Sequence, residues 1–227
     1  AYRIPLLSGK DSMYVDGHLT GRYGESHKVS APETMQFAAI SVVPDIGHVV
    51  SMDAKVPGDR VYVAGVTRDE LGGSEYYSHF GYVGRNVPQV RPEEFIPVYR
   101  AVGRAIEQQL VASVHGVYRG GLGVHLAMVA MGGELGLQVD ARRVPSEGVG
   151  RLDTLLFSES AGRFILTVDP GRAAELEVLF AGLPLACIGS VTKEAVLSVT
   201  GLDGRPSVDL RVDELKASWK KPFGHLI

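Results

Sequence analysis

Four short stretches of this 227-residue chain hold residue types that do chemistry. In Ser8-Gly9-Lys10-Asp11-Ser12-Met13, a glycine-flanked turn sets backbone N–H groups, a cation and a hydroxyl together, which suits a phosphate or a nucleotide. A surface turn with a Lys10–Asp11 pair uses the same residues more plainly. The run Arg68-Asp69-Glu70-Leu71-Gly72-Gly73-Ser74-Glu75-Tyr76-Tyr77 joins carboxylates, a hydroxyl and two phenols to a glycine pair that permits close backbone approach. It reads as a loop turning into a helix near Ser74 and Glu75, where carboxylates and anions are favoured. Glu70 and Glu75 would serve acid–base chemistry only if the fold brought them together. The third stretch is His115-Gly116-Val117-Tyr118-Arg119-Gly120-Gly121-Leu122. The fourth, Leu156-Phe157-Ser158-Glu159-Ser160 before Gly162-Arg163-Phe164, is a turn that either caps a helix or bonds a phosphate, with Glu159 as its candidate.

Other chemistries lack their residues. A net charge of −3 offers no basic excess to neutralise phosphates, so nucleic acid is not an expected partner. Cys187 is the only cysteine, which excludes an intrachain disulfide and a cysteine-based zinc site. Its apolar neighbours predict a buried thiol. His18, His27, His48, His79, His125 and His225 show neither His-x-x-x-His nor His-Glu-x-x-His spacing, so no metal-ligand set is expected. There is no Gly-x-Ser-x-Gly elbow and no Gly-x-x-x-x-Gly-Lys-Ser/Thr loop. No run approaches the roughly 18 apolar residues that span a bilayer. Without a basic-then-apolar export signature, the cytoplasm is the expected location.

The elements that must position these stretches alternate between strand and helix. Strands are expected at 2–7, at 35–43 (an apolar run stopped by Pro44), at 48–52 and at 60–66, with a loop over 16–32. Residues 93–113 carry Phe95, Val98, Val102, Ile106 and Leu110 on one helical stripe. A second helix is expected over 122–131, then a strand at 136–139, a helix at 149–157 and a strand at 163–168. A helix over 170–181 and a strand at 187–191 follow. A hairpin is expected around Asp203-Gly204, and a last helix over 212–219 with Asp213 as N-cap. The chain opens abruptly on a signature already in progress, which implies a piece of a longer polypeptide.

The order and spacing of the four stretches, with Ala31-Pro32-Glu33-Thr34-Met35 through Val43-Pro44-Asp45, resembles the C-terminal part of the phosphoribosylformylglycinamidine synthase family. That family lies in the aminoimidazole ribonucleotide synthetase-like superfamily, and the resemblance runs across essentially the whole chain. It implies an α/β (α+β) fold, a mixed β-sheet packed with helices. Residues 1–53 would end an N-terminal-type barrel domain, and residues 54–227 would form the C-terminal-type domain. The implied activity is that of an ATP-dependent carbon–nitrogen ligase of purine biosynthesis, which forms an amidine from formylglycinamide ribonucleotide and glutamine-derived ammonia. ATP and Mg2+ are the implied cofactors of the complete enzyme. The remainder of the synthase and a glutaminase domain or subunit are the implied partners.

By the same resemblance Gly9 and Lys10 bind nucleotide and Ser12 binds substrate, while Asp11, Glu75 and Glu159 are further candidates. Some relatives carry at position 10 an asparagine that helps hold magnesium. A protonated lysine cannot ligate a metal, so Lys10 is expected to meet a phosphate. No catalytic residue is assigned, because the family's catalytic histidine lies in its first half, and the chain alone is expected to be inactive. The family pattern His-Asp-x-Ser-Asp-Gly-Gly-Leu is altered here, with Gly116 and Arg119 in place of the acids and Tyr118 in place of the serine. Losing two carboxylates and gaining a guanidinium exchanges cation acceptors for a fixed cation. The turn should survive and acid-dependent functions should not, which opens a second reading as a non-catalytic structural half. Unpaired strands at 2–7 and 35–43 would also favour a homodimer.

Overall fold

The computed structural model describes residues 1, 3–5, 7, 9, 16–30 and 37–224. They fall into two compact units, Ala1–Pro44 and Asp45–Ile227.

In the first unit β1 (Asp16–Thr20) and β2 (Ser26–Ser30) form an antiparallel hairpin with Asp16 opposite Ser30. This replaces the loop expected over 16–32. Every residue of both strands is exposed, so no apolar alternation announced them. Polar cross-strand contacts accompany the ladder, with Ser30 Oγ donating to Asp16 at 2.6 Å and Lys28 Nζ lying 2.7 Å from the same carboxylate. The described parts of the expected strands at 2–7 and 35–43 have no regular structure. Phe37, Ile40, Val42 and Val43 are exposed. A strand exists only where a neighbour completes its hydrogen bonds, and none among the described residues pairs with this run.

The second unit is built on a seven-stranded mixed sheet. Its strands are β3 (Arg60–Ala64), β5 (Ser113–Val117), β6 (Gly136–Asp140), β8 (Arg163–Val168), β9 (Leu185–Thr192), β10 (Val196–Thr200) and β11 (Pro206–Arg211). Their order is β11-β10-β6-β9-β3-β8-β5, antiparallel throughout except for the β10–β6 pair. A separate two-stranded piece joins β4 (Thr67–Arg68) to β7 (Ser146–Glu147) in parallel. Central strand β3 is apolar on both faces: Val61 and Val63 enter one core, Tyr62 and Ala64 the other. The first core takes α3 (Gly121–Gly133), α4 (Leu152–Phe157) and α6 (Val212–Lys220); the second takes α2 (Pro92–Glu107) and α5 (Ala173–Leu179).

Differences from the sequence expectations have local causes. Helix α2 buries Phe95, Val98, Ala101, Val102 and Ala105 as its stripe predicts. It stops at Glu107 rather than 113 because Gln109 turns left-handed (φ 53°) and the chain re-enters the sheet as β5. In place of a strand at 48–52 stands a single 3-10 turn, Ile46–His48, whose Asp45 cap accepts from Gly47 N at 2.8 Å. Helix α6 takes Arg211 as N-cap, and Asp213 sits in its first turn, paired to the Arg211 guanidinium. Cys187 is half-buried rather than buried. No helix among the described residues is long and apolar enough to cross a membrane.

Candidate functional site

Three of the four chemical stretches meet at one end of the sheet. Helix α1 (Glu75–His79) starts at Ser74, whose Oγ accepts from Tyr77 N at 3.3 Å and donates to Leu71 O at 2.6 Å. The loop before it is tight. A Cβ on Gly72 would lie 2.7 Å from the carbonyl carbon of Asn86. The β5–α3 turn is as tight. Gly121 has φ +75°, and a Cβ there would come within 2.7 Å of Leu156 O. Gly72 and Gly121 therefore let backbones touch, while their neighbours Gly73 (φ +70°) and Gly120 (φ +93°) hold left-handed turn positions.

Glu159 joins the pieces. Its Oε1 accepts from Glu75 N at 2.9 Å and from Gly120 N at 2.8 Å, so one carboxylate closes the starts of α1 and α3. Ser158 Oγ accepts from Glu70 N at 3.1 Å, and Ser160 Oγ accepts from Arg68 N at 3.0 Å. The Ser158-Glu159-Ser160 turn thus acts as a clasp, the capping use of such a turn. Glu75 forms an ion pair with Arg119 across the same gap. Tyr76 stacks on Phe157 at 4.8 Å and donates its hydroxyl to Asp153 at 3.1 Å. The Arg151 guanidinium, foremost among the groups around it, holds the Asp153 carboxyl down at about 2.

Beneath the clasp lies Arg163, 1 % exposed. Its guanidinium donates to Ser158 O (2.6 Å), Ser160 O (2.8 Å) and Thr67 Oγ1 (2.8 Å). Burial pulls its pKa down to about 10, against the stabilising charges of Glu70 and Glu159. Buried Glu70 receives Arg91 Nη1 at 2.9 Å and Gln89 N at 3.2 Å on Oε1, while its buried Oε2 has no partner among the described residues. Glu70 and Glu75 therefore do different work, one in a buried ion pair and one at a helix start; they form no acid–base dyad.

His115 and His125 are both buried and share a hydrogen bond of 2.8 Å between Nε2 and Nδ1. Nε2 of His125 lies 3.1 Å from Arg119 O, an atom that can only accept. The neutral pair is therefore ordered: His125 donates to the turn, and His115 donates to His125. Burial, and then the neighbouring His125, lower the His115 pKa to about 4. Burial also leads the lowering at His125, ahead of the opposing hydrogen bond to Arg119 O.

Of the other residues singled out in the sequence, Gly9 is exposed and in open space, while Lys10, Asp11 and Ser12 lie outside the described residues. The structure brings Glu75, Glu159 and the His115 turn together. Sequence reasoning missed Arg163 and the partnership of His125 with His115. The spacing of ten held the second signal, since a strand, a glycine turn and the first coil of a helix return the chain to its own strand end. Among the described residues no group of three or more His, Cys, Asp or Glu could hold a metal ion. The Oε1 atoms of Glu70, Glu75 and Glu159 are committed to N–H groups or guanidinium ions, and no third ligand converges on them among the described residues, so these residues do not fit magnesium.

Residues 56–201 match the family described as AIR synthase related protein, C-terminal domain. The phosphoribosylformylglycinamidine synthase subunit PurL of Thermococcus sibiricus is 35% identical over 184 residues, covering 81% of this chain and 25% of that protein. The same subunit of Methanopyrus kandleri is 33% identical over 235 residues, 99% of this chain and 30% of that protein. The chain thus spans 25% to 30% of the length of these curated relatives. Among solved structures, T. maritima PurL complexed with FGAR is similar with a TM-score of 0.66 and 21% identity, over 75% of this chain and 30% of that one. PurLQS from Thermotoga maritima gives 0.64 at 21% identity, over 75% and 28%. T. maritima PurL complexed with ATP gives 0.59 at 21%, over 75% and 27%. At such identities the structural likeness is one of fold, and the mixed sheet with helices on both faces agrees with it. The resemblance to the synthase holds along most of the sequence, and the chain belongs to the AIR synthase related protein family, in its C-terminal domain.

Proposed function

We propose that this chain is the C-terminal part of a phosphoribosylformylglycinamidine synthase subunit, an ATP-dependent ligase that makes an amidine from FGAR and glutamine-derived ammonia in purine biosynthesis. The observation that carries this reading is the 35% identity to such a subunit over 81% of the chain. In this proposal residues 1–53 end a barrel domain and residues 54–227 form the C-terminal-type domain. Gly9 and Lys10 approach nucleotide, Ser12 approaches substrate, and Asp11 stands beside them. A glutaminase and the remainder of the synthase are the partners, Mg2+ accompanies ATP in the complete enzyme, and the cytoplasm is the location. The chain alone is inactive.

ATP, when bound, supplies the phosphoryl group that activates the formamide oxygen. The described residues contribute shape. The Glu159 clasp fixes the starts of α1 and α3, the ordered histidine pair fixes the turn between them, and Arg163 anchors the clasp from below. Electrostatic stabilisation dominates phosphoryl transfer, so the Lys10 cation and Ser12 hydroxyl are the groups to test first. The test is amidine formation by the full-length parent with Mg-ATP, FGAR and ammonium, beside a Ser12→Ala variant. Turnover that collapses in the variant is expected. A folded parent without turnover, or full activity in the variant, overturns the assignment and returns the chain to the structural-half reading.

We also propose that the isolated chain forms a homodimer through its apolar run at 37–43, which pairs with no strand among the described residues. Phe37 and Ile40 are 77% and 88% exposed, and such a run seeks a partner strand.

A further inference from the structure

Beside the clasp is a hollow of about 310 Å³ bounded by Tyr99, Gly116, Tyr118, Arg119, Glu159 and Phe164, with Arg163 behind them. We propose that it binds a small aromatic acid, a single planar ring carrying a phosphate or carboxylate. This does not rest on the role proposed above.

The walls are aromatic. Tyr99 meets Phe164 edge-to-face at 5.4 Å, and Tyr118 lies 4.2 Å from the His125 ring, which leaves flat apolar surface facing the space. Room for a ring comes from Gly116, the strand partner of Phe164. A Cβ at 116 would meet nothing nearer than 3.8 Å, so any larger side chain there would extend into the hollow.

The polar groups suit an acid. The Arg119 pair with Glu75 uses Nε and Nη2 and leaves Nη1 without a partner among the described residues. Among the described residues the Tyr118 hydroxyl has no hydrogen-bond partner, and the residue is 56% exposed. Glu159, the one carboxylate of the lining, is committed through Oε1 to two backbone N–H groups. Behind it the Arg163 guanidinium bonds directly to two carbonyls and a hydroxyl, with the Glu70 and Glu159 charges near but not bonded to it. A simple anion would gain only an exposed pair with Arg119, which solvent screens, and a bare ring would gain only stacking. A ligand with both gains both. The volume sits at the small end of ligand pockets, which limits it to about one ring and its acid group.

Titration of the full chain with phenyl phosphate or benzoate, read by amide shifts of Gly116, Gly120 and Gly162, tests this. Saturable binding of either acid in the roughly millimolar range is expected, at least about tenfold tighter than inorganic phosphate or phenol alone. Arg119→Ala should weaken it about tenfold. Because that side chain is 78% exposed, the thermal midpoint should not move. Gly116→Val should abolish binding by filling the space. Inorganic phosphate binding as tightly as phenyl phosphate, shifts that never saturate, or undiminished binding by Arg119→Ala would each overturn the proposal. Should Gly116→Val fail to fold, the Arg119 variant decides it.

Discussion

A proton added to His125 would have to go on Nδ1, which already accepts from His115 Nε2, and burial disfavours charge on either ring. The stability consequence has a definite sign. An unfolded histidine titrates near 6.5, while folded His115 titrates at about 4 and His125 is lowered as well. Above pH 6.5 both states are neutral and stability is complete. As pH falls toward 4 the unfolded chain takes protons that the folded chain refuses, costing about 1.4 kcal/mol per pH unit for one histidine. Loss through Asp153, whose carboxyl is lowered to about 2, begins only below its unfolded value of 3.8. Urea midpoints measured from pH 7 to pH 4.5 should fall steadily in the natural chain and much less steeply in His115→Gln. Equal slopes would remove the pair from the account. In the sequence His115 stood inside a legible motif, whereas His125 was one of several histidines without metal spacing. Its meaning comes from a hydrogen bond that only the turned backbone creates.

At the scale of elements, Glu159 replaces what two helix starts would otherwise take from water. Glu159→Ala would orphan the N–H groups of Glu75 and Gly120 together. Each bond to a charged acceptor contributes about 1.5–3 kcal/mol, so a loss on the order of 3 kcal/mol is expected in urea unfolding. A change under about 0.5 kcal/mol, the range of ordinary surface substitutions, would show the clasp to be ornamental. Elements with strong periodicity were readable: β8 falls on its expected residues, and α2 and α3 begin within a residue or two of theirs. The failures share a cause. The β1–β2 hairpin is polar on one face and carries only Leu19 and Val29 as apolar side chains, both exposed, on the other, and the apolar run at 37–43 has the composition of a strand without a neighbour among the described residues. Composition states what a segment can bury, while pairing decides whether it becomes a strand. The clasp was half-legible for the same reason. The turn chemistry of Ser158-Glu159-Ser160 was plain, but its targets lie 84 and 39 residues away along the chain.

For the whole molecule, the mixed sheet and its two apolar layers were legible as a class, because strands and helices alternate and β3 is apolar on both sides. Strand order was not, since no local signal says which strands lie beside β3. The exposed run at 37–43 makes a prediction at this scale: sedimentation of the isolated chain should show a dimer that forms as concentration rises, and Ile40→Lys should hold it monomeric. A single monomeric species across a broad range would count against the proposed self-association. The place of β3 also governs how the protein is made. Its neighbours are residues 163–168 and 185–192, roughly a hundred residues further along. At about 5–20 residues per second, a ribosome would leave Val61, Tyr62 and Val63 without a ladder for several seconds. Those seconds are when a chaperone that grips extended apolar peptide would have its best access to this chain, and slowing translation between β3 and β8 would lengthen them.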